Sequence, residues 1–326
     1  MFSQGLGGGF KAVMYQKENG KIETITAASR APRKSHADMF VNATSANGIL
    51  SLAVPGELKG YGDMHKKFGR VPWKTIIQPS IDLCRNGYNV STFLDRVLQI
   101  KKQCVSNEPS MAADFINPDT NDVWKVGDRI TRPKLAETLE IIANEGADDM
   151  YTANGTIAQR LIHDIKEFGG IVEIDDLVDY KTTWAPPVVS TLKKDHTLHT
   201  IGLPGTGMVL ALILNIMSGF ETVMSSDFYH TMIESFKYGF AKRSYLGDVS
   251  MNASFLNEFT NMSYANEIRS RIKLDQTFND FNHYGAEYTS KDDHGTSHIS
   301  VLAANGDAVS ITSTINNLYV ENKYQS

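Results

Sequence analysis

An α/β fold is predicted by three features of the 326-residue sequence. Asn19-Gly20 and Asn305-Gly306 stand near its opposite ends, each between runs in which apolar and polar residues alternate, the pattern of a β-hairpin. Between them, apolar residues recur at the three- and four-residue spacing of amphipathic helices. The composition, 41% hydrophobic and 21% charged, supplies enough apolar surface for a large core. A net charge of -5 and a pI near 6.0 argue against nucleic acid as a main partner.

In chain order, Gly5-Leu6-Gly7-Gly8-Gly9-Phe10 comes first. It is not a dinucleotide fingerprint, since Phe10 holds the third Gly position and no strand precedes it; a phosphate loop would need Gly-Lys-Ser/Thr. Its plain reading is a strand without side chains where another backbone packs close. Residues 11–16 and 21–26 flank Asn19-Gly20 as the first hairpin. Residues 51–61 read as a strand, a Pro55-Gly56 turn and a helix start, and helical periodicity follows between the breakers Pro72 and Pro79. These stretches read as scaffold, with no polar cluster suited to catalysis. Helices are expected over 94–104, over 133–145 with Leu135, Leu139, Ile142 and Ala143 on one face, and over 157–168, closed by Gly169-Gly170. Asp175-Asp176 reads as charge at a helix N-terminus.

The loop 201–207 opens a helix near Met208, with free backbone N–H groups at its positive end. Such a loop can hold a carboxylate, although more often it is only a tight turn. The apolar run 208–217 is short of a membrane span and includes Asn215, so it is predicted to be a buried helix. Residues 276–293 read as an exposed loop. The first seven residues lack the basic start and apolar block of a signal peptide. Cys84 and Cys104 are too few for a disulfide framework; they could form one bridge or remain buried thiols, the favoured reading, and no Cys/His spacing suggests a metal. Five glycosylation sequons, at Asn42, Asn89, Asn154, Asn252 and Asn261, stand against about three expected by chance.

The second hairpin holds a dense set of hydroxyls at one end: Thr296 and Ser297 entering, Thr312, Ser313 and Thr314 returning. A two-residue loop would put Ile315 opposite Thr296. A three-residue loop, with Gly306 left-handed, would put Thr314 there. The sequence leaves both registers open. A Thr after Gly is a weak nucleophile unless a base adjoins it, and its own α-amine serves only if the Gly295-Thr296 bond is first cut. On local pattern alone, a plain hydroxyl-rich hairpin is the commoner case.

Gly-Thr-Ser-His-Ile-Ser-Val at 295–301, followed by Ser-Ile-Thr-Ser-Thr-Ile-Asn at 310–316, closely resembles the junction of the gamma-glutamyltransferase (glutathione hydrolase) family, N-terminal-nucleophile hydrolases that cleave themselves before that Thr. Ala-Val-Pro-Gly at 53–56, Pro72-Trp73 and Gln-Pro-Ser-Ile at 78–81 extend the resemblance over nearly the whole chain, and 229–248 matches the family's long helix. The resemblance implies a four-layer αββα sandwich, incomplete at the C-terminus. It implies a single domain over 1–326, with 1–295 like the large subunit and 296–326 like the start of the small one. The implied activity is transfer or hydrolysis of γ-glutamyl groups from glutathione, with amino acids or dipeptides as acceptors and no cofactor. Thr296 would be the nucleophile after cleavage between Gly295 and Thr296. Thr314 would hold it, Asn316 would contact the glutamyl group, and Thr206 and Gly207 are candidates to line the pocket. The two pieces would remain associated, at the extracellular face of the plasma membrane or secreted.

Two departures stand against full activity. The family's carboxylate-binding Arg falls on Ala28, and Arg30 and Arg33 read as surface residues. After Tyr319 the sequence leaves the family pattern, and the family's amine-binding acid, Ser pair and Gly pair would follow there. A catalytically silent member acting by binding, or another amidase of the same fold such as a cephalosporin-acylase-like enzyme, are the alternatives.

Overall fold

The computed structural model describes residues 4–41, 48–192, 196–221, 223–248, 251–287 and 296–315. The two ends of the chain meet in one antiparallel sheet. β1 (Gly9–Gln16) and β2 (Lys21–Ala27) form the first hairpin, and β3 (Thr183–Ala185) pairs with β2. β4 (Val188–Thr191) and β5 (Thr197–Thr200) form a separate ribbon. β6 (Ser297–Leu302) and β7 (Ala308–Thr314) form the last hairpin, and β7 lies between β6 and β1. The order is therefore β6-β7-β1-β2-β3. The last hairpin closes through the three-residue loop: the Ala303 N–H donates to the Asp307 carbonyl at 2.8 Å, and Gly306 takes a φ of 91°. Glycine accepts that conformation without a Cβ clash.

One face of the sheet is covered by α1 (Glu57–Phe68). Phe10, Ala12, Met14, Ile25 and Ala27 are buried against Tyr61, Met64 and Phe68. Full burial of a side chain such as Phe10 or Ile25 contributes about 1.5–3 kcal/mol. Behind α1 lie α2 (Trp73–Asn86), α3 (Pro133–Glu145) and α4 (Thr156–Glu167), whose apolar faces share Leu58, Ile142, Ala158 and Ile162 as core. A second helical core joins α5 (Gly207–Met217), α6 (Ser226–Arg243) and α7 (Met262–Arg271) through Leu212, Ile216, Tyr238 and Ile268. The apolar run 208–217 is thus a buried helix, as its length and Asn215 suggested. Among the described residues no helix is long and apolar enough to cross a membrane.

Several elements differ from the sequence-based expectation. The glycine run does not begin as a strand: the Gly8 N–H donates to the Gly5 carbonyl at 2.9 Å, a turn, and the strand starts at Gly9. Residues 49–51 form a 3₁₀ turn, and Val54 bridges Arg30 alone. α2 runs through Pro79; Thr75 and Pro79 are both exposed, so the carbonyl freed by the missing N–H reaches water. The helix expected over 94–104 breaks at Lys101 into Thr92–Ile100 and Lys102–Asn107, which turns Val105 into the core beside Leu98. The stretch from 276 is not a plain loop. A 3₁₀ turn at Phe281–Tyr284 buries Tyr284, whose hydroxyl donates to buried Glu234 at 2.8 Å, while the Lys237 ammonium donates to Glu234, Thr277 and the Phe278 carbonyl. Cys84 and Cys104 are free thiols, and burial pushes the Cys84 thiol up. Asn252 and Asn261 each cap a helix, accepting from Ser254 and Ser263 N–H at 2.8 Å.

Candidate active site

Thr296 stands immediately before β6 and is exposed. Ser297 pairs with Ser313, so the next row outward sets Thr296 against Thr314, and Thr314 pairs in turn with Gly9. Strand alternation puts this row on the face away from α1. A Cβ on Gly9 would lie 2.8 Å from the Ala28 Cα, and one on Gly8 would collide with the Thr314 carbonyl. The row Thr296, Thr314, Gly9, Ala28 therefore carries two hydroxyls, then a slot almost without side chains. The glycines are needed because backbones approach there.

The next row on the same face is His298, Thr312, Lys11 and Thr26. The His298 Nδ1 lies 2.7 Å from Thr312 Oγ1, and its Nε2 lies 3.0 Å from Ser300 Oγ and 3.3 Å from Ser310 Oγ. The Lys11 ammonium donates to the Pro204 carbonyl at 2.9 Å. Burial lowers its pKa, opposed by the attraction of Asp248.

Beneath the Thr296 row, on the helix side, Ser313 Oγ donates to Glu57 Oε1 at 2.7 Å. The Tyr61 hydroxyl donates to the same oxygen and accepts from Gln4 Nε2 at 3.2 Å. Glu57 Oε2 is buried without a hydrogen-bond partner among the described residues. Burial pushes the Glu57 carboxyl up, against the pull of the Tyr61 and Ser313 hydrogen bonds. The Gly56 and Glu57 N–H groups both donate to the Gly8 carbonyl, at 2.9 and 3.0 Å. The start of α1 thereby holds both Gly8 and Ser313, the residues next to the Gly9–Thr314 pair.

A family model described as gamma-glutamyltranspeptidase matches residues 1–320. The chain belongs to that family. It is 36% identical over 326 residues to Scoloptoxin SSD14 of Scolopendra dehaani, covering 96% of this chain and 56% of that protein. It is 33% identical to Glutathione hydrolase 3 of Arabidopsis thaliana and 32% identical to Glutathione hydrolase 5 proenzyme of Rattus norvegicus, covering 96% of this chain in both cases and 50% and 57% of those proteins. The chain thus spans about half the length of the curated relatives it matches. Helicobacter pylori gamma-glutamyltranspeptidase superposes with a TM-score of 0.78 at 27% identity, covering 88% of this chain and 85% of that one. Cephalosporin acylase from Bacillus halodurans shares the fold, with a TM-score of 0.83 at 22% identity over 98% of this chain and 59% of its own. The α/β fold is therefore that of the N-terminal-nucleophile hydrolases.

On this gamma-glutamyltranspeptidase scaffold, Thr296 and Thr314 fall in one row. Gly295 and Asn316 lie outside the described residues. Thr206 lines a cavity of about 870 Å³, together with Pro204, Phe240 and Asp248. Gly207 is buried behind that cavity, where a side chain would strike Thr200 and Ile201. Arg30 and Arg33 are engaged elsewhere, as surface residues would be. The Arg30 guanidinium donates to the Lys181 carbonyl at 2.8 Å and lies over the Tyr180 ring, while Arg33 pairs with Asp176 and Asp179. Two residues went unread in the sequence. Glu57, within a stretch read as scaffold, looks like an ordinary acid in a helix's first turn. Lys11 carried a faint signal, a charge in a strand flanked by buried neighbours.

Proposed function

We propose that this chain supplies the nucleophile of a γ-glutamyl transferase and hydrolase acting on glutathione and related γ-glutamyl amides. The observation that carries the reading is the Thr296–Thr314 row on the open face of the sheet. Family membership, and relatives named glutathione hydrolase and proenzyme, support it. The Thr296 hydroxyl first attacks the Gly295 carbonyl, the amide becomes an ester on Oγ, and water hydrolyses it. The freed α-amine, with an ordinary pKa of about 7.7–8.0, is then a base beside its own hydroxyl. It takes the hydroxyl proton as Oγ attacks the γ-carbonyl and returns it to the leaving amine. Water or an acceptor amino acid resolves the γ-glutamyl ester. The Thr314 hydroxyl orients Thr296, Asn316 contacts the glutamyl group, and Thr206 borders the site. The pieces on either side of the cut stay associated through β7. Asn89, Asn154, Asn252 and Asn261 are exposed and so accessible to glycosylation, and Asn42 lies outside the described residues.

N-terminal sequencing tests the cut: the small piece should begin at Thr296, and Thr296→Ala should leave a single uncut chain. A different start ends the proposal. One observation favours a second reading. With Ala28 in the Arg position and Arg30 turned to Lys181, a silent member that binds without turnover is the competitor. Release of amine from γ-glutamyl and other acyl amides, assayed side by side, separates transferase, acylase and silent protein.

A further inference from the structure

We propose that Glu234, Lys237 and Tyr284 are positioning residues for self-cleavage: they anchor the segment that leads into the Gly295–Thr296 bond. The inference rests on the self-cleavage reading of Thr296, and names what holds the chain on the near side of the cut.

Residues 273–283 are all exposed, and the only buried side chain between 273 and 287 is that of Tyr284. Apolar packing therefore holds this stretch at one point, and a polar network holds the rest. Glu234 lies on α6 and is only 3% exposed. The Tyr284 hydroxyl donates to its Oε2 at 2.8 Å, and the Thr277 hydroxyl to its Oε1 at 2.7 Å. The Lys237 ammonium, one turn along α6, donates to Glu234 at 2.9 Å, to the Phe278 carbonyl at 3.0 Å and to the Thr277 hydroxyl. The Phe278 N–H in turn donates to the Tyr284 hydroxyl at 3.1 Å. Burial works against the charge on Glu234, but the hydrogen bonds from Thr277, Lys237 and Tyr284 hold its carboxyl below the usual range. Farther on, the Glu287 N–H donates to Ser244 Oγ at 2.9 Å. A buried ion pair stabilises a fold no better than well-packed apolar groups of the same volume. What its directed hydrogen bonds add here is one fixed register for a segment with a single buried side chain.

That register bears on the junction. Nine residue steps join Glu287 to Thr296, and Ser297 is held in β6 opposite Ser313. The bond to be cut is thus strung between two held points. Attack by the Thr296 hydroxyl needs the Gly295 carbonyl carbon within about 3–3.5 Å. Without the anchor, the next held point upstream among the described residues is Lys273, whose carbonyl lies 2.7 Å from His230 Nε2, 23 residues before Thr296. The chance that a flexible loop brings its ends together falls roughly as the three-halves power of its length, so the longer tether should slow the cut about fourfold.

The test follows the full chain by pulse–chase after cell-free synthesis and reads the appearance of the piece that begins at Thr296. Hydrogen exchange over 276–287 is measured on the same chains carrying Thr296→Ala. Replacing the three residues together by apolar ones of similar size (Glu234→Met, Lys237→Met, Tyr284→Phe) should raise exchange over 276–287 and slow the cut about fourfold, with the thermal melt held or raised. Tyr284→Phe alone, which leaves the ion pair, should slow it by a smaller factor. Ile216→Val, a core change in α5, should lower the melt and leave the rate unchanged. Slowing that tracks the melt across all these variants makes the network ordinary scaffold and overturns the proposal. An unchanged rate, or exchange over 276–287 that does not rise, overturns it as well, and leaves the self-cleavage reading standing. No cut in the unaltered chain takes down that reading and the anchor with it.

Discussion

The two faces of the five-stranded sheet use the same strands for opposite ends. Towards α1, Phe10, Ala12, Met14 and Ile25 are buried, and the Ser313 hydroxyl donates to one oxygen of the buried Glu57 carboxyl at 2.7 Å. On the other face, Thr296, His298, Thr312 and Lys11 form two polar rows with little apolar cover. The buried acid has no cation beside it, and the outer cation has no ion-paired acid, among the described residues. Polar groups on the helix side are thus buried and hold the chain, whereas on the other face His298, Thr312, Ser300 and Ser310 bond to one another across the strands and Lys11 reaches the Pro204 carbonyl. The contrast predicts that substitutions one residue apart in the same row system will separate stability from chemistry.

The largest effect belongs to the open face. Thr296→Ala should abolish cleavage altogether while moving stability by no more than about 0.5 kcal/mol, the usual range for an exposed site. Parallel gels and thermal melts read the two quantities, and a melt shifted as far as that of a core mutant would erase the distinction. On the helix side, Glu57→Ala strands the Ser313 and Tyr61 hydroxyls and opens a cavity, and should cost about 2–4 kcal/mol. Glu57→Gln keeps the accepting carbonyl and should cost about 1 kcal/mol or less. Denaturant titration decides, and a larger loss in Gln than in Ala would mean that the carboxyl is ionised where it lies.

The pH dependence sharpens the same contrast. The folded-state pKa of Glu57 is raised, so the folded chain holds a proton that the unfolded chain gives up. Its contribution is therefore complete below the ordinary carboxylate pKa, and is lost as pH rises from there through the raised value. Asp307, lowered by the Lys17 N–H and Asn305, works the opposite way and loses its contribution as pH falls. Glu57→Gln should flatten the decline above the ordinary Glu range and leave the acid limb in place; an unchanged decline would assign it to another group. A change in binding rather than stability is expected at the slot. Ala28→Arg should tighten γ-glutamyl binding by roughly ten- to a hundredfold, since the new guanidinium would extend over Gly9 with no side chain in its way. No gain by titration calorimetry would mean that another group already holds the carboxylate, or that the pocket is absent.

Much of this was legible in the sequence where local stereochemistry decides structure. Asn-Gly marked both hairpins, and of the two registers left open the three-residue loop at Gly306 selects the one that sets Thr314 against Thr296. The helices at 133–145 and 208–217 followed from apolar spacing. Tertiary context overrode the rest. Pro79 is tolerated because its turn faces water, which no local rule states. Gly5–Gly8 form a turn because Gly8 must meet the first N–H groups of α1, some fifty residues away. Glu57 was invisible as a site residue because its partner Ser313 is 256 positions distant. The Thr296–Gly295 junction itself was recognised by resemblance; alternation alone would have left it an ordinary hairpin.

The strand order has a consequence for how the chain is made. Gly9 pairs with Thr314, so β1 emerges from the ribosome roughly 300 residues before its neighbour exists. At about 5–20 residues per second that delay lasts on the order of 15–60 s. Throughout it, β1 offers an unpaired edge with Phe10, Ala12 and Met14 along it, the kind of edge that invites pairing between chains. The sheet's long-range pairing thus makes the nascent chain a natural client for holding chaperones, and the pairing that creates the Thr296 row waits until roughly 300 residues have followed β1.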